Sequence, residues 1–206
     1  MTRSFRTLVR AVVDGDLDTV RLLLDQDHRL ASVAADSGAR RGGASSYFFE
    51  HIKHYLYEGD TALHMAAAAF QQPIASLLVG LGANYRARNR RGAEPLHYAC
   101  DTNHWNPIAQ AEVITYLIGI GADPNARNND GVTPLHRAVR TRSFPAVKAL
   151  LEGGADPTLR NKTGSTPRLL ARLTTGRGGS GSERAREQQA AIAQILDQRI
   201  SRSIPI

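Results

Sequence analysis

One stretch of this chain is written four times. Gly59-Asp-Thr-Ala-Leu-His-Met-Ala-Ala67 comes first, then Gly92-Ala-Glu-Pro-Leu-His-Tyr-Ala-Cys100, then Gly131-Val-Thr-Pro-Leu-His-Arg-Ala-Val139, then a decayed Gly164-Ser-Thr-Pro-Arg-Leu-Leu-Ala171. From Gly59 to Gly92 is 33 residues, from Gly92 to Gly131 is 39, and from Gly131 to Gly164 is again 33. A second motif recurs in phase: Leu81-Gly-Ala-Asn84, Ile120-Gly-Ala-Asp-Pro124 and Gly153-Gly-Ala-Asp-Pro157. Self-similarity at this period dictates a linear stack in which each unit buries its apolar face on its neighbours.

Each unit reads as a helix, a short turn, a second helix and a polar turn. Thr133 offers a side-chain oxygen to the free amides of a first turn, and Pro134 suits the first helical position. Leu135, Ala138 and Val139 follow at helical spacing. Ala146, Val147, Ala149, Leu150 and Leu151 make the second helix, and Gly153-Gly154 ends it. A period of about 33 residues carrying Thr-Pro-Leu-His-x-Ala resembles the ankyrin-repeat family, over residues 59–171. The resemblance implies an all-α solenoid of helix-turn-helix units, with capping helices at both ends. In that family the motif histidine is structural, which makes His64, His97 and His136 register pins between units rather than metal ligands or catalysts.

The expected organisation is one continuous domain. Residues 1–33 form an N-terminal capping helix pair, with Leu8, Val9, Val12 and Val13 on one stripe and Val20, Leu22, Leu23 and Leu24 on the next. Residues 34–58 are an insertion, whose 36–46 portion reads as a flexible Gly/Ser-rich loop. Repeats follow at 59–91, 92–130 and 131–163, the second enlarged by six residues around Asp101-Thr-Asn-His-Trp-Asn-Pro-Ile-Ala109. Residues 164–206 form a C-terminal capping repeat. In it, a glycine-rich stretch from Thr174 to Ser182 lacks the Lys-Ser/Thr ending of a phosphate loop. It reads as a link, or as an anion cradle using Arg177. A final helix from Glu183 to Arg199 packs through Ala190, Ile192, Ala193, Ile195 and Leu196.

Charge narrows the partner. The formal net charge is +7 and the isoelectric point about 10.1, which favours acidic partners. The turns between repeats sharpen this: they read Arg88-Asn-Arg-Arg91, Arg127-Asn-Asn-Asp130 and Arg160-Asn-Lys-Thr163. Arginine holds the first position three times. Asparagine holds the second, keeping the turn-forming hydrogen bond of the family's usual aspartate without its charge. The resemblance places these tips and the inner helices on a concave binding face. Arg88, Arg90, Arg91, Arg127, Arg160 and, from the inner helices, Tyr98, Asp101, Arg137 and Arg140 are therefore its expected lining.

The insertion carries Tyr47-Phe-Phe-Glu-His-Ile-Lys-His-Tyr-Leu-Tyr57, an aromatic cluster that either packs on the cap or walls one end of the groove through Tyr55 and Tyr57. Trp105, in the enlarged repeat, either covers its own loop or anchors a partner. The expected function is a binding module for an acidic protein segment or a small anionic ligand. The alternative is an enzyme on the same scaffold, using His51, His54, Tyr55, Tyr57, Asp101 and His104 with arginines holding an anionic substrate. No nucleophile–base–orienter pattern is visible. His51-x-x-His54 lacks a third metal ligand, so neither metal nor cofactor is expected. The charge would suit nucleic acid, but no reading motif is present and that partner is not expected. Cys100 fills a small-residue slot as a buried thiol. No apolar run approaches the ~18 residues of a membrane span and no signal-peptide core is present, so a cytoplasmic location is the expectation.

Overall fold

The computed structural model describes residues 2–40, 43–101, 106–173 and 183–202. The chain opens with α1 (Arg3–Asp14) and α2 (Leu17–Gln26), joined where Gly15 takes a left-handed φ of 74°. Thr2 caps α1 and Asp16 caps α2 through side-chain oxygens that accept from Phe5 and Thr19 amides. Leu8, Val9, Val12, Val13, Val20 and Leu24 are buried as expected, whereas Leu22 faces solvent. Its neighbours Val20 and Leu24 take the packing face of the short second helix, which leaves Leu22 on the opposite side.

The repeats supply α3 (Ala62–Ala68) and α4 (Gln72–Gly80), then α5 (Pro95–Ala99) and α6 (Pro107–Gly119), then α7 (Pro134–Arg140) and α8 (Phe144–Glu152). The last unit is α9 (Pro167–Arg172) with α10 (Glu183–Arg202). Helices α1, α3, α5, α7 and α9 pack in sequence as an inner layer, and α2, α4, α6, α8 and α10 as an outer one. This is the all-α stacked solenoid the period dictates. Leu63, Leu96 and Leu135 are fully buried in equal phase along its core.

The local chemistry explains each unit. The motif glycines 59, 92, 131 and 164 have φ between 69° and 85°, a left-handed turn that glycine enters at no steric cost. Thr61, Thr133 and Thr166 then accept from the amides of His64, His136 and Leu169. His64 and His136 return the bond through Nδ1, at 3.1 and 3.2 Å from the Thr61 and Thr133 amides, closing a capping box with histidine in place of the usual glutamate. Each Nε2 reaches the next unit: His64 to the Ala93 carbonyl, His97 to that of Val132, and His136 to that of Ser165, all at 3.0 Å. Nδ1 is the acceptor, so Nε2 carries the proton and donates across the junction. Burial lowers the pKa of all three, that of His97 to about 3.

The six extra residues of the second repeat are not confined to a connecting loop. Helix α6 runs 13 residues against 9 in α4 and α8, and α5 only 5 against 7 in α3 and α7. Asn106 caps the longer helix by accepting from the Ala109 amide, and Pro107 occupies its first turn. At the far end, Asp197 of α10 accepts from Arg168 and Arg172 of α9, at 2.6 and 2.9 Å. Ile192 and Leu196 are buried beneath them, while Ala190 is exposed rather than packed.

The insertion departs from the helical class. Phe48–Phe49 (β1) and His54–Tyr55 (β2) form a small antiparallel ladder pairing Phe48 with Tyr55 and Phe49 with His54. The stretch expected to be loose is also partly tied down. The Ala35 amide donates to Asp60, that of Ala39 to Leu56, and the Arg90 guanidinium to the Ala39 carbonyl. Gly38 sits against the Tyr57 backbone, where a Cβ would lie 2.6 Å from its Cα.

Candidate binding surface

The turns between repeats stack in register. The Arg90 amide donates to Glu58, that of Asn129 to Arg91, and that of Lys162 to Asp130, at 2.9–3.0 Å. Within each turn the asparagine side chain holds the loop shape. Asn89 Oδ1 accepts from the Arg91 and Ala93 amides, Asn128 from Asp130 and Val132, and Asn161 from Thr163 and Ser165. These contacts put Arg88, Arg127 and Arg160 at one position of three successive tips. All three are exposed. Arg88 donates to the Arg127 carbonyl at 3.0 Å and Arg160 to the Gly164 carbonyl at 2.8 Å. The acceptors are neutral, and among the described residues neither guanidinium is in an ion pair.

The inner-helix residues expected beside them sit differently. Arg137 is 6% exposed, and its guanidinium donates to Asp101 at 3.1 Å. Arg140 approaches the other oxygen of the same carboxylate at 3.5 Å. Burial pushes the Asp101 pKa up, but the combined pull of Arg137, His54 and Arg140 outweighs it and holds the carboxyl below the ordinary carboxylate range. One anion thus offsets the two cations that were expected to extend the basic face. Tyr98 is 2% exposed rather than groove-lining. Its hydroxyl donates to Asp60 Oδ2 at 2.9 Å and accepts from the Asn89 amide group at 2.8 Å. Burial, then the negative charge of Asp60, drive its pKa well above the ordinary value.

Asp60 is the residue that sequence reasoning missed. It is fully buried and accepts from Tyr98, from Asn89 Nδ2 at 2.8 Å, and from the Tyr57 amide. One signal was available: the position after the motif glycine is Ala93, Val132 and Ser165 in the other units, and only here a charge. A buried anion of this kind must find donors, and it draws them from the insertion, from the closing turn of its own repeat and from the second repeat.

The insertion packs on the cap at one end and the second repeat at the other. His51 Nε2 lies 3.1 Å from the Val13 carbonyl, and Tyr47, His51 and Leu56 share a cavity of about 250 Å³ with Arg6 and Arg10 of α1. His54 turns the opposite way. Its ring is 4.7 Å from that of Tyr98, with Nε2 4.0 Å from Asp101. Burial lowers its pKa. His51 and His54 therefore do not converge on one point. Tyr55 packs on Phe48, with centroids 4.6 Å apart. Arg91 and Arg90 lie over the Tyr57 ring at 4.5 and 5.7 Å, an arginine–aromatic cluster beside the tips. His104 and Trp105 lie outside the described residues, as does the glycine-rich stretch 174–182 with Arg177. Cys100 is buried, and burial pushes its thiol pKa far up.

Among the described residues no group of three or more side chains could hold a metal ion, and no helix is long and apolar enough to cross a membrane. A broad, open groove of about 1000 Å³ lies on the outer helices between Ile108, Tyr116 and Phe144, away from the arginine tips.

The chain matches the family described as ankyrin repeats (three copies) over residues 6–128 and 91–161. Over 101 residues it is 33% identical to a probable E3 ubiquitin-protein ligase, XBOS32, of Oryza sativa subsp. japonica. That match covers 49% of this chain but only 16% of the relative.

Proposed function

The chain belongs to the ankyrin-repeat family, a protein-interaction scaffold, and from that premise we propose that it binds an acidic protein segment, or a small anionic ligand, along its basic turn face. One observation carries the reading: Arg88, Arg127 and Arg160 occupy one phase of three stacked tips, and Arg88 and Arg160 are anchored on backbone carbonyls rather than carboxylates. Anchoring restricts these two arginines before the partner arrives, which lowers the entropy lost on binding. Bidentate donors remain for a carboxylate or phosphate. The Tyr57–Arg91 cluster closes one end of this face with the residue types that dominate binding hot spots. The likeness to a probable ubiquitin ligase covers a small part of that protein and supports the scaffold alone.

The test is salt. Binding of a glutamate-rich peptide should weaken steeply as ionic strength rises, because exposed charges are screened over about 10 Å at 0.1 M. The triple variant Arg88→Glu, Arg127→Glu, Arg160→Glu should keep its helical circular dichroism and lose both the binding and the salt slope. Parent binding indifferent to salt would remove the proposal.

A further inference from the structure

Resting on that reading, we propose that the partner crosses the turn tips as an extended polyproline-II segment with an acidic side chain at every third residue, rather than lying as a helix in the concavity. The register comes from the tips themselves. The bonds from Arg90 to Glu58, Asn129 to Arg91 and Lys162 to Asp130 repeat the same pair of turn positions at each step. The arginines two positions earlier, at 88 and 127, therefore repeat with the spacing of the stacked helices, about 10 Å, and Arg160 follows by the same step. A polyproline-II segment rises about 3.1 Å per residue and returns to the same face every three residues, so three residues span one step with each acid facing a tip.

The interior of the concavity argues against a helix. At the first repeat the inner-helix positions equivalent to Arg137 and Arg140 are Met65 and Ala68, 0% and 3% exposed. At the second repeat they are Tyr98, buried beneath His54, and Asp101. At the third, Arg137 and Arg140 share the Asp101 carboxylate. The floor therefore offers no uncompensated charge at its first two steps, and its first step is closed. A helix about 10–12 Å across would need that space. The tips keep their charge: among the described residues none of Arg88, Arg127 and Arg160 is in an ion pair, and two are held by carbonyls.

Three synthetic peptides of equal length and composition test this, with aspartates at every third, every fourth or every seventh position. Binding is measured by titration at low ionic strength. The every-third peptide should bind about tenfold tighter than either other spacing. Arg127→Gln should weaken it by about fivefold, and should have no effect on the same peptide with its central aspartate replaced by asparagine, the coupling expected of a direct pair. Equal binding by all three peptides would overturn the register while leaving recognition of acidic segments in place. Tightest binding by the every-seventh peptide, whose acids share a helix face, would overturn the extended conformation. No binding by any would overturn the register and the charge reading together, since the salt test above would then fail as well.

Discussion

The Tyr98 hydroxyl donates to Asp60 across 2.9 Å of buried space, joining the inner helix of one repeat to the opening turn of the one before. The same carboxylate takes the Asn89 amide group and the Tyr57 amide. A buried carboxylate stripped of one donor bears its desolvation cost with less return. Tyr98→Phe should lower unfolding free energy by about 1–3 kcal/mol. Asp60→Ala should cost at least as much, because Tyr98 and Asn89 would both lose an acceptor. Urea titration gives both values. A neutral Tyr98→Phe would mean that the bond does not contribute to stability.

Leu135 and His136 separate packing from register. Leu135 is fully buried, and its truncation to alanine should cost about 2–5 kcal/mol. His136→Ala should cost about 1–3 kcal/mol through the lost bond to Ser165. Thermal unfolding in which His136→Ala is neutral, while binding of the acidic peptide disappears, would move this histidine from scaffold to site.

Acid should loosen the stack. His54, His64, His97 and His136 all have pKa values lowered by burial. For such groups the unfolded chain binds more protons below the ordinary histidine value of about 6.5, so stability is present above that pH and lost below it. For His97 the loss continues down to about pH 3. Each histidine contributes up to about 1.4 kcal/mol per pH unit in this window. The urea midpoint should therefore drop steadily from pH ~6.5 to ~4.5, and His97→Gln should show a shallower slope. A midpoint flat across that range would contradict the neutral, buried histidines.

Glu94 stands where three other units have threonine. It is 6% exposed, its Oε2 has no hydrogen-bond partner, and burial raises its pKa against the pull of Arg86 and Arg88. Glu94→Thr restores the capping oxygen and removes the stranded one. It should stabilise by about 0.5–2 kcal/mol. Since a raised pKa gives stability at low pH that is lost as pH rises, the gain should be larger at neutral pH than near pH 4. A destabilised Glu94→Thr, measured by urea titration, would show that the carboxyl is needed where it is.

The repeat motif fixed most of the scaffold without any tertiary information. Glycine demands a left-handed turn, threonine and proline start a helix, and Leu135-type positions need neighbours to cover them. These are local rules, so the period specified stacked helix pairs and asparagine-held turns, while the histidine pins followed from the resemblance to the ankyrin family. The sequence also set Arg88, Arg127 and Arg160 in one phase, because phase is a matter of counting. Which charges stay uncompensated depended on contacts between residues far apart in the chain. Asp101 meets Arg137 and Arg140 only once two repeats stack. Asp60 gathers Tyr98 from the next unit and Asn89 from the far turn of its own, and Glu94 is stranded only because the stack buries it. The insertion's short ladder, and the opposite directions of His51 and His54, were likewise decided by the surfaces available at the cap and at α5. Helices and turns follow nearest neighbours in sequence, whereas charge compensation and burial follow nearest neighbours in space.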